Sequence, residues 1–105
     1  MSAKELTDQD FQKEISRQKL AFVDIYASWC GPCKLFSPIF DQVSTTSPHA
    51  FFKIDGDLNP QCRSEMRIDN LPFVAAFRDG KFIKGVSTST EAGLKEFILE
   101  MENGR

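Results

Sequence analysis

From Leu20 to Ala27 the chain reads Leu-Ala-Phe-Val-Asp-Ile-Tyr-Ala, an apolar run of strand length broken by one charge, Asp24. Such a run suits a strand covered on both faces, as the inner strands of a layered α/β sheet are. The next residues narrow the choice. Trp29-Cys30-Gly31-Pro32-Cys33 leads into Lys34 to Ser44, where Leu35, Phe36, Ile39, Phe40 and Val43 recur at helical spacing. Pro38 lies inside that stretch and predicts a kink.

The remaining segments supply elements to flank this strand and helix. Asp8 to Arg17 carries Phe11 and Ile15 at i, i+4, with Thr7 or Asp8 placed to cap its start, and predicts a short amphipathic helix. Ala50 to Ile54 predicts a second buried strand, and Asn59 to Met66 a short helix. Phe73 to Phe77 predicts a third strand, joined through the hairpin signal Asp79-Gly80 to an antiparallel partner over Phe82 to Val86. Glu91 to Met101 places Leu94, Phe97, Ile98 and Met101 on one helical face. The order predicts one α/β domain with a mixed sheet over residues 1–105.

Composition excludes several classes of function. Thirteen basic against fifteen acidic residues leave a net charge of −2 with no run of like charge, which does not suit a phosphate-binding surface for nucleic acid. No apolar stretch approaches the roughly 20 residues that span a bilayer, so no membrane helix is expected. The N-terminal residues carry charges of both signs without an apolar signal core, which predicts an uncleaved, unsecreted chain. Three cysteines, an odd count, argue for thiol chemistry in a reducing compartment, here read as cytoplasmic.

The candidate chemistry centres on Cys30 and Cys33. Residues three apart share a helix face, with Cβ atoms about 5 to 6 Å apart, so a small adjustment lets the sulfurs bond. A sulfur at a helix N-terminus meets unpaired N–H groups and the positive end of the helix dipole, which favour its thiolate. Pro32 suits a first helical turn, and Gly31 admits close approach of a partner chain. Cys30 is thus the candidate nucleophile and Cys33 the resolving thiol. Two inert packed thiols, or half of a zinc site completed by Cys62 and His49, are the other readings, although neither of those residues forms a second cysteine knuckle.

Asp24, inside an apolar strand, would pay heavily to ionise, so a raised pKa is expected. Such a carboxyl could take the Cys33 proton, through a water, as that thiol attacks a mixed disulfide. A strand position facing solvent is the alternative. Pro72 at the start of a strand marks a special junction.

Trp29-Cys30-Gly31-Pro32-Cys33-Lys34 resembles the active-site signature of the thioredoxin family, and the spacing is that of a known redox motif. The resemblance continues through Phe22 to Ala27, Pro38, Lys53-Ile54-Asp55, Asp57, Asn59-Pro60, Leu71-Pro72 and Phe77 to Lys81. It implies a thioredoxin fold, a central mixed five-stranded sheet flanked by four helices. It also implies a monomeric protein-disulfide reductase that acts on disulfide-containing client proteins. Recharging would come from thioredoxin reductase and NADPH, with no cofactor or metal of its own.

The same resemblance places Lys53 near Asp24, where a solvated edge lysine is the alternative, and a cis Leu71–Pro72 bond opposite the cysteines. There the Leu71 backbone would pair with an extended client segment, beside Trp29 as an apolar contact surface. Two positions depart from the family pattern. Phe73 follows the proline where a threonine is common, putting a large side chain near the expected groove. Gly85-Val86-Ser87-Thr88 runs one residue short at a groove glycine. These departures support a rival reading, a binding module or adaptor subunit whose cysteines seldom turn over. Tyr26 is read as packing and Cys62 as an unremarkable helix residue, with glutathionylation or an intermolecular disulfide as its alternative.

Overall fold

The computed structural model describes residues 3–64 and 66–104; Met1, Ser2, Glu65 and Arg105 lie outside the described residues. In chain order the elements are β1 (Lys4–Leu6), α1 (Asp8–Ser16), β2 (Leu20–Tyr26), α2 (Gly31–Ser44), β3 (Ala50–Asp55), a 3₁₀ turn (Pro60–Arg63), β4 (Phe73–Arg78), β5 (Lys81–Ser87) and α3 (Glu91–Glu102). The five strands form one sheet in the order β1-β3-β2-β4-β5. β3 runs parallel to both β1 and β2, whereas β4 is antiparallel to β2 and to β5.

The apolar run Leu20–Tyr26 occupies the middle of this sheet, and every residue in it except Tyr26 is buried. Its alternate side chains enter two cores. Leu20 and Phe22 meet Phe36 and Phe40 of α2 and Leu94 and Phe97 of α3. Ala21, Val23 and Ile25 face Phe11 and Ile15 of α1 on the other side. A strand with both faces covered is what its nearly continuous hydrophobicity predicts.

β1 has no counterpart in the periodicity, because its three residues show the burial pattern exposed, exposed, buried, too short to display an alternation. Three α-helices flank the sheet where four were expected. The fourth, over 59–66, is reduced to the 3₁₀ turn Pro60–Arg63, whose geometry rarely extends beyond a few residues. Its start is held from outside: the Asp8 carboxylate accepts the N–H groups of Gln61 and Cys62, at 3.0 Å each. In return the Asp8 N–H donates to Asn59 Oδ1 at 2.8 Å.

The α2 helix begins at Gly31, three residues earlier than the hydrophobic spacing shows, and continues past Pro38 as one helix. Asp79 (φ 53°) and Gly80 (φ 84°) form a two-residue hairpin between β4 and β5, since Arg78 pairs with Lys81. Both residues have the positive φ that this turn demands.

Candidate active site

Chain direction gathers the site at one edge of the sheet. β2 ends at Tyr26 and β3 at Asp55, and antiparallel β4 begins at Phe73 on that same edge, with Ile25 opposite Phe73 and Tyr26 opposite Asp55. The loop Ala27–Cys30, the residues after Asp55 and the segment before Phe73 therefore converge outside the carboxyl ends of the parallel strands. Open α/β sheets bind their ligands there.

Cys30 and Cys33 are joined in a disulfide with a Cα–Cα distance of 5.3 Å, inside the range that such a bond spans without backbone movement. Cys30 is the N-cap of α2. Its backbone is extended (φ −86°, ψ 109°), and its Sγ accepts the Cys33 N–H at 3.2 Å. The sulfur thus occupies the place of a capping oxygen, with the positive helix end behind it, which favours an anion once the disulfide opens. Pro32 stands in the first turn, where no intrahelical donor is lost.

The two sulfurs face different surroundings. Cys30 lines a groove with Trp29, Gly31, Pro32, Arg63 and Leu71. Cys33 lines a separate cleft with Tyr26, Lys34, Ser37 and Lys53. Trp29 is 70% exposed, and its indole N–H donates to Asp57 Oδ2 at 2.6 Å, which holds a large apolar ring at the groove rim. Across the groove the Leu71–Pro72 bond is cis. Leu71 also packs on the cluster of Ala27, Cys30 and Cys33.

Asp24 is 1% exposed, and its Oδ1 has no hydrogen-bond partner among the described residues. Burial is the main reason its pKa rises from 3.8 to about 7; Lys53 opposes the rise, and Asp41 and Glu5 add to it. The solvent-facing alternative for Asp24 is therefore excluded. Lys53 is Asp24's Cα partner on β3, but its ammonium reaches α2, where it donates to Ser37 Oγ and lies 2.9 Å from Asp41 Oδ2. Its side chain is only 12% exposed, so it is not a solvated edge lysine.

Phe73 differs from the expectation of a bulky groove residue. It is buried in the core on the α1 side. Its ring lies against Gly85 of β5, where a Cβ would come within 2.2 Å of Cζ. The large side chain and the glycine are thus one packing unit, and the groove is left to Leu71 and the Trp29–Pro32 loop.

Cys62 is buried, and burial, reinforced by Asp8, pushes its thiol up to about 12. Tyr26 does more than pack: its hydroxyl donates to Glu5 and, shielded beside that carboxylate, is held well above the usual phenol range. His49 pairs with Glu102 at 2.6 Å, away from the cysteines. Among the described residues no cluster of three or more His, Cys, Asp or Glu could hold a metal ion, and no helix is long and apolar enough to cross a membrane.

Glu5, Asp41 and the Trp29 partner role of Asp57 escaped the sequence reading. Asp41 had a signal, since it is the one acid in an otherwise apolar or neutral helix C-terminal half and stands one turn after Ser37. Glu5 had none, because β1 is too short to announce its neighbours.

The thioredoxin family model matches residues 2–100. The chain belongs to the thioredoxin family. Thioredoxin-1 of Saccharomyces cerevisiae is 33% identical over 93 residues, covering 88% of this chain and 90% of the relative. The thioredoxin of Mycoplasmoides gallisepticum is 38% identical over 86 residues, covering 80% and 86%. Among solved structures, Plasmodium falciparum thioredoxin superposes with a TM-score of 0.86 at 28% identity, covering 93% of this chain and 98% of that one. A chain from work on how yeast mitochondrial 1-Cys peroxiredoxin is resolved by the glutathione and thioredoxin systems gives 0.83 at 27% identity, covering 94% and 95%. Fold, disulfide and family agree: this is a protein-disulfide oxidoreductase of the thioredoxin family.

Proposed function

We propose that the chain reduces disulfides in client proteins and is recharged by a thioredoxin reductase drawing on NADPH, as a monomer in a reducing, cytoplasmic compartment. The observation that carries this reading is the division of the two sulfurs. Cys30, capping α2, lines the groove between Trp29 and Leu71, while Cys33 lines the cleft that also holds Ser37 and Lys53. In the reduced form the Cys30 thiolate attacks a client disulfide. An S–S bond forms to one client sulfur, and the other leaves as thiolate. Cys33 then gives up its proton to the Asp24 carboxylate through a water, and its thiolate attacks Cys30. The Cys30–Cys33 disulfide re-forms, the second client thiolate departs, and two electrons have passed to the client.

An extended client segment pairing with the Leu71 backbone accounts for broad substrate range, because main-chain hydrogen bonds carry no side-chain code. The peroxiredoxin work among the structural relatives supports client proteins whose oxidised thiols a thioredoxin system resolves. Phe73, one of the two departures behind the adaptor reading, packs against Gly85 in the core, which favours the reductase over the adaptor. The test is turnover of insulin disulfides with NADPH and a thioredoxin reductase. Turnover abolished in Cys30→Ser supports the reading, and turnover equal in wild type and Cys30→Ser sinks it.

A further inference from the structure

Three adjacent strands set three charges in a row. Glu5 of β1 is the Cα partner of Lys53 on β3, which is the partner of Asp24 on β2. Register partners on parallel strands point to the same face, about 4.8 Å apart. A lysine between two carboxylates would ordinarily be shared by both. Here it is not. The Glu5 carboxylate accepts the Tyr26 hydroxyl, and the Lys53 ammonium is taken by Ser37 and Asp41 of α2, which covers this face. Asp41 is itself fixed, accepting the Ala3 N–H through Oδ1 at 3.1 Å. Asp24 is left with an oxygen that has no partner among the described residues.

We propose that Asp41, assisted by Ser37, is a positioning residue that draws the Lys53 ammonium onto α2 and so keeps it from neutralising Asp24. The inference rests on the reading of Asp24 as proton acceptor. A carboxylate paired to an ammonium is a weak base, and an unpaired buried one is a strong base. Asp41 therefore sets how strongly Asp24 attracts the Cys33 proton without touching either sulfur. The groups facing Asp24 are Lys53 from β3, Asp41 from α2, Glu5 from β1 and, two residues along its own strand, Tyr26; from β4 its partner is the apolar Val74.

The test is a titration of the Asp24 side-chain carboxyl by ¹³C NMR in the oxidised protein, where Cys30 and Cys33 do not ionise. Asp41→Asn is expected to move the midpoint down by about one pH unit as Lys53 turns to Asp24. Asp41→Glu restores it, and Ser37→Ala, which changes no charge, gives a smaller move in the same direction. In a Lys53→Met background the Asp41→Asn shift should shrink to less than half, because the mobile cation is gone. Equal shifts in both backgrounds, or none, overturn the proposal. The acid limb of insulin reduction against pH, with dithiothreitol as reductant, should follow the carboxyl. A carboxyl that shifts while the limb stays fixed supports the positioning role of Asp41 and counts against Asp24 as the proton acceptor.

Discussion

At the scale of single residues, Asp24 couples chemistry to stability, and the direction of the coupling is fixed. Its pKa in the folded chain is about 7, against 3.8 for the unperturbed group. Between those values the folded state holds a proton that the unfolded chain has released, so stability falls as pH rises from about 4 to 7 and levels off above. The full span is roughly 4 kcal/mol as an upper figure. Asp24→Asn removes that penalty: the variant should melt above wild type at pH 8, with the gap closing below pH 4, while insulin reduction slows at neutral pH. A variant that melts lower than wild type at pH 8 would contradict this.

Cys62 invites a second prediction. Its thiol is buried and raised to about 12, so iodoacetamide at pH 8 should label Cys30 in the reduced native protein and leave Cys62 untouched until the chain unfolds. Much of the site is legible in the sequence because Cys30, Cys33 and Asp24 each carry chemistry at odds with their setting, two thiols at a helix start and a charge in an apolar strand. Glu5 and Asp57 are ordinary acids at ordinary positions, and Asp41 stands out only as the one acid of its helix. Their roles exist only once strands and helix are brought together.

At the scale of elements, packing decides what local pattern leaves open. Gly85 looks like a strand weakness, yet the Phe73 ring fills the space its side chain would take. Gly85→Ala should cost about 1 to 3 kcal/mol in guanidinium unfolding, the usual cost of overpacking a core. Phe73→Thr in the same chain should recover part of that cost, so the double variant is more stable than the sum of the singles; strict additivity would show that the two residues do not share the space. The start of the 3₁₀ turn is a comparable case. Asp8 holds the Gln61 and Cys62 N–H groups from across the fold. Asp8→Ala should therefore cost about 1 to 2 kcal/mol and make Cys62 accessible to alkylation in the native state.

Elements with a long apolar run, such as β2, or a long helical period, such as α2 and α3, declare themselves in the sequence. β1 and the turn after Asn59 do not, because β1 is defined by its pairing with β3 and the turn by a carboxylate fifty residues away. Over 59–66, where local spacing predicts a helix, the described residues hold only the 3₁₀ turn Pro60–Arg63, and the Asp8 cap at its start is a tertiary contact that local spacing does not register.

At the scale of the whole molecule, folding and redox state are one linked equilibrium. Oxidised and reduced chains, each folded or unfolded, form a cycle. The stability difference between the two folded forms therefore equals the bias that the fold places on the disulfide. Two features set its sign. The disulfide is packed, with Cys30 and Cys33 each 3% exposed. The thiolate that replaces it is supported by one N–H and the helix end, while two of the nearby cations are engaged elsewhere, Arg63 with Asp57 at 3.8 Å and Lys53 with Asp41 at 2.9 Å. Closing so short a loop also restricts the unfolded chain, by roughly 2 kcal/mol. The oxidised form should accordingly be the more stable by about 2 kcal/mol, equivalent to about 40 mV of added reducing power over the same pair in an unfolded chain. Guanidinium unfolding of both forms, with and without dithiothreitol, measures this directly. A reduced form that proves the more stable would mark a fold that drives electrons into its own cysteines, the behaviour of a disulfide donor, and would reverse the direction of transfer assigned to this protein.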